Sequence, residues 1–151
     1  MTTVAMEPAR SARTPWHLWL VGLIGLPWNG FGVYDYLCTQ TRGEPYLREM
    51  GMTEAQISYF NSMPVWMTAA WAVGVWGALL GTLLLLARRK LAVPVYVASL
   101  AALILTLIYQ FGLTNGAEVM GSGAFMSAVI LAGAVFFVLY SRWAAKRRLL
   151  R

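Results

Sequence analysis

Residues 65–87 read VWMTAAWAVGVWGALLGTLLLLA, a continuous apolar segment without a charged side chain, and the cations RRK at 88–90 follow it directly. A helix needs about 20 predominantly apolar residues to cross the hydrocarbon core of a bilayer. A strand of a membrane barrel would instead alternate apolar and polar residues. The segment therefore predicts a transmembrane helix.

Three more segments, at about 16–37, 91–113 and 121–140, have similar length and apolar character. The whole chain is 59% hydrophobic and 12% charged, which excludes an ordinary soluble domain of 151 residues. We expect one membrane domain over 1–151, an all-α integral membrane protein with four transmembrane helices. The connections at 88–90 and 114–120 are short, which favours an antiparallel up-down-up-down bundle.

The basic residues of the chain lie at alternate ends of the predicted helices. Ten of the twelve precede the first helix, join the second to the third, or follow the fourth: Arg10, Arg13, Arg88, Arg89, Lys90, Arg142, Lys146, Arg147, Arg148 and Arg151. Basic residues near span ends stay on the cytoplasmic side. We therefore expect an inner-membrane protein with both termini in the cytoplasm. Because the charge is distributed in this way, nucleic acid is not expected as a partner.

The loop at 38–64 is the one long connection and is predicted to lie outside as a lid. Pro45 and Gly51 suit the two ends of a short helix at about 46–50. Thr53 and Gln56 have capping-box spacing, which predicts a second short helix through about Phe60.

Small residues recur at three- and four-residue spacing on the first two predicted helices. Such residues let neighbouring membrane helices approach closely. The predicted helix-packing residues are Gly22, Gly25, Gly32, Ala70, Gly74, Ala78 and Gly81.

Polar residues near the outer ends of the first and third helices predict a small outward-facing pocket beneath the lid. Its predicted lining is Asn29, Tyr34, Asp35, Tyr109 and Gln110. Pro27 cannot donate a backbone hydrogen bond and so leaves a carbonyl near Leu23 free for a partner. In the alternative interpretation, Asp35 only marks where the helix meets water, since ionisable groups indicate function most strongly deep in the membrane.

The sequence carries no recognisable catalytic motif. It lacks a Walker motif, HExxH, GxSxG and a pair of cysteines. His17 is the single histidine, so one chain cannot supply the two axial ligands of a bis-histidine haem. Methionines near Cys38 suit Cu(I), but methionine is also an ordinary filler of apolar packing. We expect no enzymatic activity, no metal and no cofactor.

The basic start and the apolar run at 18–26 could also form a secretory signal peptide. Pro27, Trp28 and Asn29 follow this run in place of a small-residue cleavage site. The segment is therefore expected to remain as a membrane anchor.

Two stretches carry a resemblance to a known family: LPWNGFGVYDYLCTQT at 26–41 and YFNSMPVWMTAAWAVGVWGALLGTLLLLARR at 59–89. With the third predicted helix, they cover most of the chain and resemble small four-span bacterial inner-membrane proteins, some of which are labelled "sugar transporter". The resemblance implies the four-span fold but supplies no catalytic or binding residues. Pro27 departs from it, because an aliphatic residue is expected before WNGFG.

Two functions follow from these features as expectations. The first is a packing or accessory protein that contacts membrane lipids and binds a second copy or another membrane protein. The alternative is a small-solute, sugar-like transporter that acts as an oligomer. We favour the first because no carboxylate lies near the middle of a predicted span, where it would couple transport to protons.

Overall fold

The computed structural model describes residues 13–151, so Arg10 of the predicted basic cluster lies outside the described residues. This part of the chain is helical and contains no strand, which confirms the all-α prediction. Its elements are α1 (Trp16–Arg42), α2 (Glu44–Glu49), α3 (Glu54–Asn61), α4 (Val65–Leu86), α5 (Ala92–Ile108) with a π-helical extension (Tyr109–Leu113), α6 (Gly116–Met120) and α7 (Gly123–Lys146).

Three helices are both long enough and apolar enough to cross a membrane, which indicates a membrane protein. They are Val65–Leu86, Ala92–Leu113 and Gly123–Lys146. Helix α1 has the necessary length, 27 residues, but Asn29 and Asp35 make it less apolar than the other three. It also continues beyond the predicted end at 37, until Gly43 adopts a left-handed conformation (φ 59°) that ends the helix.

The long helices pack in a fixed order. Helix α4 lies between α1 and α5, and α5 packs against α7. Aromatic side chains form the contact between α1 and α7. The Phe137 ring lies against Gly25, and the Trp28 indole lies against Gly133. We call the end of the bundle that carries residues 38–64 the lid end, and the opposite end the basic end.

Close approach at three glycines explains part of this packing. A Cβ added to Gly25 would meet the Phe137 ring at 3.0 Å, and one added to Gly81 would meet the Tyr96 ring at 2.7 Å. A Cβ at Gly22 would overlap the Leu86 side chain. Larger residues at Gly25 and Gly81 would therefore press against aromatic rings, whereas the flexible Leu86 side chain can turn away from a Cβ at Gly22.

The other predicted packing residues have more room. A Cβ at Gly32 would lie 3.6 Å from Val75, and one at Gly74 would lie 3.9 Å from the Ser99 carbonyl oxygen. Ala70 and Ala78 are half-buried on α4. These positions tolerate a small side chain without displacing a neighbour.

The short helices of the lid form close to where the sequence predicts them. Helix α2 begins at Glu44, with Pro45 in its first turn. Helix α3 begins after Thr53, whose side chain accepts a hydrogen bond from the backbone of Gln56 while the Gln56 side chain accepts one from the backbone of Thr53. The capping box is therefore confirmed.

Candidate functional site

The lid, residues 38–64, has a small apolar core of its own. Tyr46, Leu47 and Ile57 are buried within it, and Cys38 and Phe60 pack against them. This burial fixes α2 and α3 against each other and against the end of α1. The lid is consequently a packed unit rather than a flexible loop.

Asp35 holds the lid to α1 through one hydrogen bond. The Tyr46 hydroxyl donates to the Asp35 carboxylate over 2.8 Å. The Tyr46 side chain is buried and Asp35 is half-buried. Burial, and then the hydrogen bond that Tyr46 donates to Asp35, raise the pKa of Tyr46 well above its usual range, so the phenol remains a donor.

The outer surface of the lid carries ion pairs. Arg48 contacts Glu44 and Glu54, and Arg42 contacts Glu49 at 2.6 Å. The hydrogen bond and the positive charge of Arg48 lower the pKa of Glu54. These pairs are exposed, so each contributes little stability, but Arg48 connects α2 to α3.

The far side of the lid contacts the segment that follows α5. The Tyr59 hydroxyl and the Thr114 hydroxyl are 2.7 Å apart, and the Gln56 amide donates to the Val119 carbonyl. Thr114 also donates to the carbonyl oxygens of Tyr109 and Gln110 in the π-helical turn. The lid therefore bridges two separate parts of the bundle.

Deep in the bundle, a polar network joins three helices. The Asn29 amide donates to the Thr82 hydroxyl over 2.8 Å, and the Tyr96 hydroxyl lies 2.8 Å from the same Thr82 oxygen. All three side chains are buried, with Thr82 completely so. Asn29 is thus a link between α1, α4 and α5.

The five residues predicted to line one pocket lie in separate places. Asn29 faces Thr82, Asp35 faces the lid, and Tyr34 is 54% exposed. The Tyr109 ring packs edge-on against Trp66 at a centroid distance of 5.2 Å, while Gln110 contacts Gly116.

Helix geometry explains this separation. Asn29 and Asp35 are six positions apart, which places them on faces about 120° apart around one helix. Tyr109 and Gln110 belong to the continuation of α5, which packs against α4 and α7, while α1 packs against the other side of α4. The sequence predicts that these residues lie at similar depths in the membrane. It does not predict that their side chains face one another.

A polar cavity of about 220 Å³ does exist at the lid end, but other residues line it. It lies between the end of α1, the lid and the start of α4. Among residues 13–151, no charged side chain lines it, and its polar side chains are Thr39, Gln40, Asn61 and Thr68, with Trp71 forming an aromatic wall. Sequence reasoning missed this cavity because Thr39 and Gln40 follow the predicted helix end and Asn61 suggests a helix cap.

A second concave region, of about 430 Å³, is apolar. Residues of α5, its π-helical extension and α7 form it: Ile104, Leu107, Ile108, Phe111, Gly112 and Leu131. Such a surface suits hydrocarbon and offers no polar group to orient a substrate.

His17 lies at the basic end among aromatic rings. Its Nδ1 is 2.6 Å from the Tyr140 hydroxyl, and its ring packs against Trp143. Through these contacts, His17 connects α1 to α7.

Residues 13–151 contain no group of three or more His, Cys, Asp or Glu side chains that would hold a metal ion.

No protein-family model, curated protein or solved structure matches this chain significantly. The resemblance of 26–41 and 59–89 to four-span bacterial membrane proteins accordingly stays a prediction.

The bond between Asp35 and Tyr46 gives a first testable prediction. Asp35→Ala should lower the free energy of unfolding by about 1–2 kcal/mol, because it leaves the buried Tyr46 hydroxyl without its acceptor. Equilibrium unfolding of the detergent-solubilised protein measures this loss. Glu49→Ala, which removes an exposed partner of Arg42, is the matched control and should change stability by less than about 1 kcal/mol. Equal effects of the two variants would show that Asp35 is only a solvated boundary residue.

Proposed function

We propose that this chain is a four-span accessory protein of a bacterial inner membrane, which packs against lipid and a membrane-protein partner or second copy without catalysing a reaction. Helix α1 is the fourth span in this proposal. Its residues 16–37 measure about 33 Å along the axis, which matches the roughly 30 Å hydrocarbon core. Both termini lie in the cytoplasm, and the lid lies outside.

One observation carries the proposal: large apolar side chains are exposed on all four long helices, including α1. Examples are Leu23, Ile24, Val73, Leu80, Ile104, Leu105, Phe136 and Leu139. In water this surface would be costly, whereas lipid is its natural solvent. Within the described part of the chain, every fully buried polar side-chain atom has a hydrogen-bond partner.

The polar interior supports an architectural role. Asn29, Thr82 and Tyr96 form hydrogen bonds with one another across three helices, and the buried polar residues of the described part of the chain include no charged one. Asp35 is engaged with the lid instead of lying at mid-membrane. A proton-coupled carrier would need an ionisable group that changes its exposure during transport.

A small-solute transporter that works as an oligomer is the second candidate, and the 220 Å³ polar cavity favours it. The cavity is lined by hydroxyl and amide side chains and an indole, so it suits a small uncharged polar molecule. Its volume equals that of roughly seven waters, which limits the size of such a solute.

Flux measurements separate these two functions. Purified protein in liposomes should give no uptake of neutral sugars or cationic dyes above that of empty liposomes. Reproducible uptake that is lost in Thr68→Phe, which fills the cavity, and retained in Ser58→Phe on the exposed face of the lid would replace the accessory role by transport. Asp35→Asn would then show whether the carboxylate takes part.

A further inference from the structure

Helices α4 and α7 end in the same way at the basic end. Arg88 and Arg148 each follow the last turn of a helix with a φ of 56°. The next amide donates back across the turn in both cases, from Arg89 to the Leu84 carbonyl and from Leu149 to the Ala144 carbonyl. Glycine or asparagine usually occupies this left-handed position, because a Cβ is disfavoured there.

The chain after α7 locks these two helix ends together. The Arg151 amide donates to the Arg88 carbonyl over 2.6 Å, and the Lys90 amide donates to the Arg151 carbonyl over 2.9 Å. The Arg88 guanidinium donates to the Leu149 carbonyl, while Leu149 and Leu150 are buried in the core. The surface formed by the two ends is therefore held rigidly.

Six exposed cations surround this junction: Arg89, Lys90, Lys146, Arg147, Arg148 and Arg151. We call them the basic platform. The Asp and Glu side chains of residues 13–151 lie at the opposite end of the bundle, where the ion pairs between described residues are also found. The platform is thus a concentrated positive surface.

An aromatic residue places the platform relative to a bilayer. The Arg147 guanidinium lies 5.9 Å from the centroid of the Trp143 ring, which is 40% exposed. Tryptophan side chains prefer the headgroup level of a membrane. With the chain in the proposed orientation, Arg147 and its neighbours stand at the level of lipid phosphates.

We propose that the basic platform binds the phosphate of an anionic phospholipid in the inner leaflet. Charge complementarity identifies this occupant, because guanidinium groups bind phosphate oxygens bidentately and a cluster between helices at this depth suits an anionic headgroup. The inference rests on the proposed membrane-spanning arrangement. Cations also interact favourably with the C-terminal ends of helices, which accounts for some of the positive charge of the basic platform. This interaction does not require arginine at the left-handed position of Arg148.

A lipid titration tests the proposal. Parent protein in neutral detergent is melted with increasing phosphatidylglycerol or phosphatidylcholine, and the apparent affinity is taken from the rise in melting temperature. Phosphatidylglycerol should stabilise the parent at far lower concentration. Arg148→Gly should weaken that affinity about five-fold, and combining it with Arg147→Gln and Arg151→Gln should weaken it roughly 100-fold.

Arg148→Gly also separates charge from conformation. Glycine adopts the left-handed backbone freely, so this variant should melt without added lipid at the parent temperature or above. The double variant Arg42→Gln, Arg48→Gln removes two cations from the lid and should leave the lipid affinity within two-fold. Equal responses to the two lipids, or an unchanged affinity in the triple variant, would overturn the lipid site. Failure of the four-span arrangement would appear separately, in the accessibility of the residues before α1.

Discussion

Thr82→Val should lower the free energy of unfolding by about 2–4 kcal/mol, among the largest effects of any single conservative change in the bundle. The substitution preserves shape but removes the hydroxyl that Asn29 and Tyr96 both contact at 2.8 Å. Each of these buried groups then lacks a partner, at a cost of about 1–3 kcal/mol apiece. Equilibrium unfolding of the solubilised protein measures the loss.

Thr106→Val is the matched control for this prediction. Thr106 is also buried on a long helix, but its hydroxyl bonds only to the Leu103 carbonyl of its own helix. The change should cost less than about 1 kcal/mol. If both threonines prove equally tolerant of valine, the three-helix network does not contribute to stability.

Gly81→Ala should cost about 1–3 kcal/mol through overpacking. The added Cβ would lie 2.7 Å from the Tyr96 ring, which is buried and tethered by its hydroxyl to Thr82. The ring cannot move aside without stretching that hydrogen bond. A shift of α4 away from α5 should accompany the loss.

Gly74→Ala on the same helix is the comparison. Its Cβ would meet the Ser99 carbonyl oxygen at 3.9 Å, which is ordinary contact. The variant should be neutral or slightly more stable, because alanine favours helix over glycine. Equal destabilisation by Gly74→Ala would mean that general crowding along α4, and not the Tyr96 contact, governs these positions.

The helical fold follows from local features of the sequence. The apolar run at 65–87 and the Thr53–Gln56 capping box are each contained in one segment, so they predict α4 and the start of α3 without knowledge of the rest of the chain. The end of α1 was placed too early, because TQTR at 39–42 is polar but still compatible with a helix that continues into water.

The arrangement of the polar side chains does not follow from local features of the sequence. Similar depth predicts one pocket for Asn29 and Asp35, whereas the partner of each depends on which element lies beside α1. The sequence does not specify that α4 separates α1 from α5. Similarly, the left-handed backbone conformation of Arg88 and Arg148 cannot be read from the sequence and is found only in the structure.

The central claim is that α1 crosses the membrane, which places the lid and the residues before α1 on opposite sides. Cys38 is half-buried against the lid core, so a better reporter is Ser58→Cys in a Cys38→Ser background. Thr14→Cys in the same background reports the residues before α1. In intact spheroplasts, a membrane-impermeant thiol reagent should label the cysteine at 58 and spare the one at 14 until the cells are lysed. Labelling of both positions, or of neither, before lysis would contradict the four-span arrangement.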